Sequence, residues 1–302
     1  MRLSVIVSPT AGYAYDELRE IALAVEAAGT GSLWIADHFF GGTGDPEKNC
    51  LEAWTLIAAL ARDTTSLRLG TMVTCAGYRS PALLAKTVAS VDHLSGGRID
   101  FGVGAGWKEN EYTAYGYDFP PAGVRIEQLI DTLEICRRMW TEPVATYAGK
   151  HFRVTDAVCA PKPVQRPSPP IWIGGRRPRM LRVAARYADG LNLVHGDGVG
   201  PPRAPSPADW EVALAQLAQA CQRIGRDVRE IALSHYTEVY FDDVPSDGPR
   251  RAGSIEGNDE TVAEAIRGYA AVGVGELCLA FPKGREVELV GRVRERVAPL
   301  LL

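Results

Sequence analysis

The sequence predicts a (β/α)8 TIM barrel with long loops at its C-terminal face, and three observations predict it. Strand-like and helix-like segments alternate from end to end. Eight strands are each followed by a helix. The 302 residues are the length that such a barrel needs. An open doubly wound sheet, the alternative, is normally shorter and places a phosphate loop after its first strand. A single domain over residues 1–302 is therefore expected.

The first strand covers 3–8, and the helix after it puts Leu18, Ile21, Ala22, Val25 and Ala28 on one face before Gly29 closes it. Strands follow at 32–38 and 68–74, with helices at 52–62 and 81–94. The second of these helices has Pro81 at its start and Gly96-Gly97 at its end. In the fourth strand Ile99, Phe101 and Val103 alternate, and a long helix follows over 124–140. Residues 144–154 read as a small hairpin, and a proline-rich connector over 161–170 leads to a fifth strand at 171–173. Later strands are expected at 190–195, 230–241 and 274–281, and helices at 178–187, 208–224, 259–271 and the C-terminus.

Composition narrows the class. The chain is 46% hydrophobic and 23% charged, with 33 Lys plus Arg against 37 Asp plus Glu. That balance suits a small-molecule partner and not nucleic acid or a membrane surface. The opening MRLSVIVSPT has too short an apolar run for a signal peptide, and no long uncharged stretch could span a bilayer. Six cysteines without CxxC spacing read as reduced thiols and not as a disulfide or zinc framework. A cytoplasmic location is expected.

In a barrel of this kind chemistry lies at the C-terminal strand ends. The fourth strand ends RIDFGVGAGWKENEY, where Gly102, Gly104 and Gly106 strip away side chains. The dinucleotide fingerprint fails, because its sixth position falls on Trp107. Two readings stay open: a glycine-softened core strand, or a strand end cleared for a flat ligand. Trp107, Lys108, Glu109 and Glu111 follow on an expected loop.

The second strand ends Ala36-Asp37-His38-Phe39. His38 is either a satisfied structural histidine or, with Asp37 beside it, a general acid/base. His93 sits in the last turn of a helix, a structural place, and His151 sits in the hairpin. His195 ends the sixth strand and is a second pocket residue, while His235 is ambiguous. Core packing is the default for Met72 and Val73 and for Trp34, Trp54 and Trp172. The fifth strand ends Gly174-Gly175-Arg176-Arg177-Pro178-Arg179 at a helix start, with Arg182 one turn on. Arginine opposes the helix dipole there unless an anion binds among the backbone N–H groups. The rival is a solvated basic face. Gly/Pro-rich loops at 196–207 and 242–258 would lie on the same face.

These segments together resemble the luciferase-like monooxygenase family of flavin and deazaflavin barrel enzymes. The motifs LWIADHFF, RLGTMVTCAGYRSPALLAKTVASVDHLSGGR, FGVGAGWKENEYTAYGYDFPPAGVRIEQL and PKPVQRPSPPIWIGGRRPRMLRVAARYADGLN carry the resemblance. The GAGW–E–EY–YG–F pattern is most similar to the branch that uses the 8-hydroxy-5-deazaflavin coenzyme F420. The resemblance implies a ring in the barrel mouth with a bulge at Met72-Val73 behind it, often a non-proline cis peptide. It further implies Thr74, Ala105 and Gly106 along the ring, phosphate near Gly174, Gly175 and Arg176, and a homodimer. His38 would face the reacting side, carried over from the DHF motif. Alcohol and sugar-phosphate dehydrogenases of this branch carry a Glu where Trp107 stands and a Trp where this chain has Gly41 or Gly42, so the resemblance does not by itself imply alcohol oxidation by their acid/base scheme.

The function expected is hydride transfer between F420 and a small organic substrate. His38 would handle the proton, Asp37 would orient it, Trp107 and Phe39 would shape the pocket, and Glu109 is a further catalytic candidate. Three alternatives remain: an FMN-dependent monooxygenase, a metal-dependent barrel hydrolase using Asp37, His38, His195 and His235, and a flavin-binding protein without catalysis. The paired histidines of a metal strand are missing, so no metal is expected.

Overall fold

A computed structural model describes residues 1–193, 205–246 and 250–301. The chain runs β1 (Arg2–Val7), α1 (Tyr15–Ala28), β2 (Ser32–Ile35), α2 (Ala53–Asp63), β3 (Arg68–Thr71), β4 (Thr74–Cys75) and α3 (Pro81–Ser95). It continues with β5 (Ile99–Gly104), α4 (Glu109–Ala114), α5 (Ala122–Thr141), β6 (Ala145–Ala148), β7 (Arg153–Ala157), β8 (Ile171–Gly174) and α6 (Pro178–Tyr187). The last elements are β9 (Gly190–Leu193), α7 (Pro207–Gln222), β10 (Ala232–Phe241), β11 (Ile255–Gly257), α8 (Asp259–Ala271), β12 (Glu276–Ala280) and α9 (Glu286–Arg292). This is the predicted strand–helix alternation of a (β/α)8 barrel, with β6 and β7 as the antiparallel hairpin.

The chain divides into two compact units, Met1–Val7 with Asp16–Trp34 and Gly174–Leu302, and Ser8–Tyr15 with Ile35–Ile173. In the first unit β9, β10, β12 and β1 pair in parallel, in that order. Their neighbours meet a shared buried carboxylate: Glu276 accepts from Ser4 Oγ at 2.5 Å, Trp34 Nε1 at 3.0 Å and Arg2 Nη2 at 2.7 Å. A buried acid persists only with such a set of donors. The 242–258 segment, expected as a loop, contains β11, whose Ile255–Gly257 pairs with Val239–Phe241 of β10. His235 is fully buried, accepting from Trp210 Nε1 of α7 at 3.3 Å and stacking on Tyr269 of α8 at 4.2 Å.

In the second unit β3, β4, β5 and β8 pair in parallel. The strand expected over 68–74 is broken in two, β3 and β4, with the cis Met72–Val73 peptide between them. Trp54, Phe101 and Trp140 fill the core, with Trp54 Nε1 bonded to Thr74 Oγ1 at 3.1 Å and Trp140 Nε1 to the Ala85 carbonyl at 2.9 Å. Trp34 and Trp172 are also buried, as the core assignment of the tryptophans requires. Helix α3 ends as its sequence predicts: Gly96 takes φ +69°, and backbone N–H groups there reach Asp92 and His93 carbonyls.

The strand glycine Gly102 answers to the backbone. A Cβ there would lie 1.8 Å from the Thr71 carbonyl oxygen, while Thr71 Oγ1 donates to the Gly102 carbonyl at 2.7 Å. Gly102→Ala is expected to cost about 1–3 kcal/mol, because the obstacle is backbone that cannot rotate away. Denaturant unfolding at neutral pH checks it; a midpoint equal to wild type would refute the close approach. Among the described residues no helix is long and apolar enough to cross a membrane.

Candidate active site

The candidate site grows from the end of β2. Past Ile35 the strand pairing stops, and the neighbouring side chains of Asp37 and His38 diverge. Asp37 and His38 accordingly take different partners. Asp37 is buried; it accepts Arg79 Nη1 and Nη2 at 2.7 and 2.9 Å and the Cys75 N–H at 3.1 Å. Arg79 also pairs with Glu52. Asp37 therefore does not orient His38, contrary to the expectation from adjacency. Its carboxylate is held by a bidentate arginine, an arrangement that fixes the turn entering α3.

His38 turns instead to Glu111. Its Nδ1 lies 2.8 Å from Glu111 Oε2, and the same oxygen accepts the Tyr78 hydroxyl at 2.6 Å. Glu111 Oε1 accepts the Phe39 and Phe40 N–H groups at 2.7 and 3.0 Å and lies 3.1 Å from Lys108 Nζ. Lys108 also reaches the Phe40 carbonyl, and Cys50 Sγ donates to the His38 carbonyl at 3.3 Å. The segment 38–40 is thus pinned on both its backbone and its imidazole by one fully buried acid.

Sequence reasoning passed over Glu111 in favour of Glu109. The expected loop is a short helix, α4, and two positions along a helix turn the side chain by about 200°. Glu109 is exposed in the first turn, whereas Glu111 points inward with no solvent access. The signal available was an acid on the strand-end segment followed by the apolar Tyr112.

Electrostatics favour an ionised Glu111. Burial by itself raises its carboxyl, but the hydrogen bonds from His38, Tyr78 and the Phe40 N–H, together with the charge on His38, lower it from 4.5 to about 2. The folded form thus keeps the proton off where the unfolded chain would take it. The stabilisation, about 3 kcal/mol, is present above pH 4.5 and is lost as pH falls toward 2. Chemical denaturation between pH 6 and 3 (roughly the accessible part of that window) should show a steeper acid loss in wild type than in Glu111→Gln. Equal slopes would refute it.

With Glu111 ionised, Nδ1 carries the ring proton in neutral His38, and Nε2 is the nitrogen left for a reacting group. The Trp107 ring stands edge-on to His38 at 5.8 Å and is 63% exposed. Phe39 stacks between Tyr78 (4.5 Å) and Tyr115 (4.0 Å). Aromatic rings therefore lie both against the His38 imidazole and around the adjacent Phe39.

Other predicted positions are distributed as follows. Met72 is buried and Val73 part-buried on either side of the cis peptide. Thr74 is fully buried, accepting from Trp54 and donating to Thr71 Oγ1 at 2.8 Å, so its hydroxyl faces the core and not a ring. Ala105 and Gly106 are part-exposed just past β5. Gly106 takes φ +79°, and a Cβ on it would come within 2.2 Å of Tyr112 Oη and 2.6 Å of Cys75 Sγ, a demand that no ligand is needed to explain.

In the first unit Gly174 and Gly175 are buried at the start of α6, and Arg176 is part-exposed. The N-cap residue, Arg177, makes no side-chain capping bond, and no acid stands in the first turn. Gly175 takes φ +148°, where a Cβ would press on Met180 at 3.0 Å. Bare backbone, a helix start without an N-cap side-chain bond, and Arg176, Arg177 and Arg179 form a donor set that fits an anionic group.

Among the described residues no group of three or more His, Cys, Asp or Glu is placed to hold a metal. Asp37 is committed to Arg79, and His235 packs against Trp210 and Tyr269. His195 lies outside the described residues, as do most of the 196–207 loop and residues 247–249 of the 242–258 loop. His93 contacts the Lys162 carbonyl and His151 pairs with Glu127, both away from this constellation.

The family model described as luciferase-like monooxygenase matches residues 2–247. The chain belongs to the luciferase-like monooxygenase family. It is 27% identical over 235 residues to an F420-dependent glucose-6-phosphate dehydrogenase of Kineococcus radiotolerans, a match covering 78% of this chain and 66% of that one. It is 29% identical over 221 residues to the pyrimidine monooxygenase RutA of Variovorax paradoxus, covering 71% and 57%. The chain spans between half and two thirds of the length of these curated relatives. An F420-dependent secondary alcohol dehydrogenase, solved with an F420–acetone adduct, superposes with a TM-score of 0.84 at 19% identity, covering 100% of this chain and 99% of that one. The fold is the (β/α)8 barrel of that group.

Proposed function

We propose that this protein is a coenzyme F420-dependent oxidoreductase that moves a hydride between the deazaflavin and a small organic substrate. The observation that carries the proposal is His38, fixed through Nδ1 on a buried, ionised glutamate and offering Nε2 beside an exposed tryptophan. The F420-dependent relative and the family membership support the choice of cofactor.

When bound, the coenzyme supplies hydride transfer at its ring. The protein's share is binding, orientation and proton handling. Met72, Val73, the backbone at Thr74, Ala105 and Gly106 would hold the ring. Gly174, Gly175 and Arg176 would hold the anionic arm, the glycines through backbone N–H groups and the arginine through its guanidinium. His38 Nε2 takes or gives the proton that accompanies hydride movement at the substrate, and Glu111 stabilises the imidazolium without itself becoming protonated. Trp107 and Phe39 exclude water and shape the substrate space.

The monooxygenase relative supports a second reading, FMN with oxygen on the same barrel. Anaerobic assays with oxidised and with reduced F420 over a panel of alcohols, ketones and activated alkenes separate the two. Turnover without oxygen that is lost in His38→Ala is the expected result. Turnover only with reduced FMN and oxygen would overturn the proposal.

A homodimer in the cytoplasm belongs to the same proposal. Its supports are the family resemblance, the six free thiols, and a largely apolar cleft of about 970 Å3 beside α2 and α3 that leaves Leu83 59% exposed.

A further inference from the structure

The phenol of Tyr78 has no part in the proton step above, yet it is one of two donors on the oxygen that holds His38. Tyr78 Oη stands 2.6 Å and His38 Nδ1 2.8 Å from Glu111 Oε2. We propose that Tyr78 is a positioning residue: by sharing Oε2 it limits how strongly Glu111 holds the His38 imidazolium, and so sets the pH at which His38 changes charge. The inference rests on the assignment of the proton step to His38.

The physical basis is competition for one oxygen. An O–H donor to a carboxylate is shorter and stronger than a neutral hydrogen bond, and here it is the shorter of the two contacts. Density drawn into the Tyr78 bond is withdrawn from the His38 bond. The other oxygen is already occupied by the Phe39 and Phe40 N–H groups and by Lys108, so Oε2 is where the balance is decided. Removing the phenol concentrates negative charge on Oε2, which favours the charged imidazolium.

Tyr78 is held for this role. It is 4% exposed, stacked on Phe39 at 4.5 Å and tilted against Tyr112 at 5.0 Å. Burial, Cys75 and Glu111 push its phenol well above the usual tyrosine range, so it remains a donor wherever the protein is folded. The remaining charged or titratable groups around His38 are accounted for. Asp37 on its own segment is paired with Arg79, which also holds Glu52. Lys108 sits on Oε1, and Cys50 donates to the His38 carbonyl. Each of these has its bond elsewhere than on Oε2.

The test is an NMR titration of the His38 ring in the full-length protein without coenzyme or substrate. The chain has five histidines, and the His38 signal is identified by its loss in His38→Gln. In Tyr78→Phe the titration midpoint should rise by roughly half a pH unit or more. Tyr112→Phe is the control: it removes an equal phenol from the same cluster, but that hydroxyl contacts Cys75 Sγ at 3.0 Å and not Glu111, so the midpoint should stay put. Should Tyr78→Phe fold poorly, 3,5-difluorotyrosine at position 78 keeps the hydroxyl and strengthens it as a donor, and the midpoint should fall. An unchanged or lowered midpoint in Tyr78→Phe, an equal shift in Tyr112→Phe, or no fall with difluorotyrosine would overturn the proposal. The titration needs no cofactor, so its failure is separate from failure of the F420 assignment. A midpoint that moves as expected while the pH dependence of turnover does not would support Tyr78 acting on Glu111 and would remove His38 from the proton step.

Discussion

His38→Ala is expected to lower turnover by about 100- to 10,000-fold, the usual contribution of a positioned acid/base, while F420 affinity changes by no more than a few-fold. The asymmetry follows from the geometry. His38 projects from the end of the second strand, and its Nδ1 is bound to a carboxylate lowered to about 2, so that nitrogen never serves as the base near neutral pH. Nε2 alone is left for the substrate. Loss of the imidazole removes the proton donor and acceptor, but leaves Ala105 and Gly106 past β5 and the glycine turn before α6 intact. His38→Gln keeps the approximate shape and a hydrogen bond to Glu111 without titrating near neutrality, so it should be about as inactive as the alanine variant. Steady-state kinetics beside equilibrium binding of F420 check both. An equal loss of affinity and turnover would make His38 a binding residue.

Glu111→Ala is expected to cost about 3–5 kcal/mol of stability and nearly all activity. The substitution orphans the Phe39 and Phe40 N–H groups and the Tyr78 hydroxyl, and leaves the part-buried Lys108 without its carboxylate. It also frees the 38–40 segment, so His38 loses its tautomer and its aim together. Glu111→Gln separates the effects. One amide face would set N–H groups against the N–H of His38 or the O–H of Tyr78, so the fold should survive with a smaller loss while turnover still collapses. Denaturant unfolding and kinetics on both variants read this out. A stable, active Glu111→Ala protein would show that His38 is aimed by something else.

The barrel was legible because strand and helix periods, terminal glycines and Pro81 are local signals. Residues 32–35, 81–95 and 171–174 fall close to where periodicity puts them. The family motifs likewise implied the Met72–Val73 cis peptide, which the structure contains. The histidine's partner was not legible. Asp37 is adjacent in sequence, but its carboxylate is taken by Arg79, and the true partner is 73 residues away. Glu109 and Glu111 look equivalent in a loop and become opposite only when residues 109–114 coil into a helix. Bare backbone at Gly102 and Gly106 left two readings open in the sequence, a softened core strand or a floor for a flat ligand. What approaches, the Thr71 carbonyl and the Tyr112 hydroxyl, depends on register that the sequence does not display.

The most direct measurement is a binding titration of the purified protein with F420 and, separately, with FMN, followed by fluorescence. Micromolar or tighter binding of F420, weakened at least tenfold in Arg176→Ala, with FMN bound far more weakly, is the result expected if the deazaflavin is the cofactor. Tight FMN binding with none of F420 would contradict it.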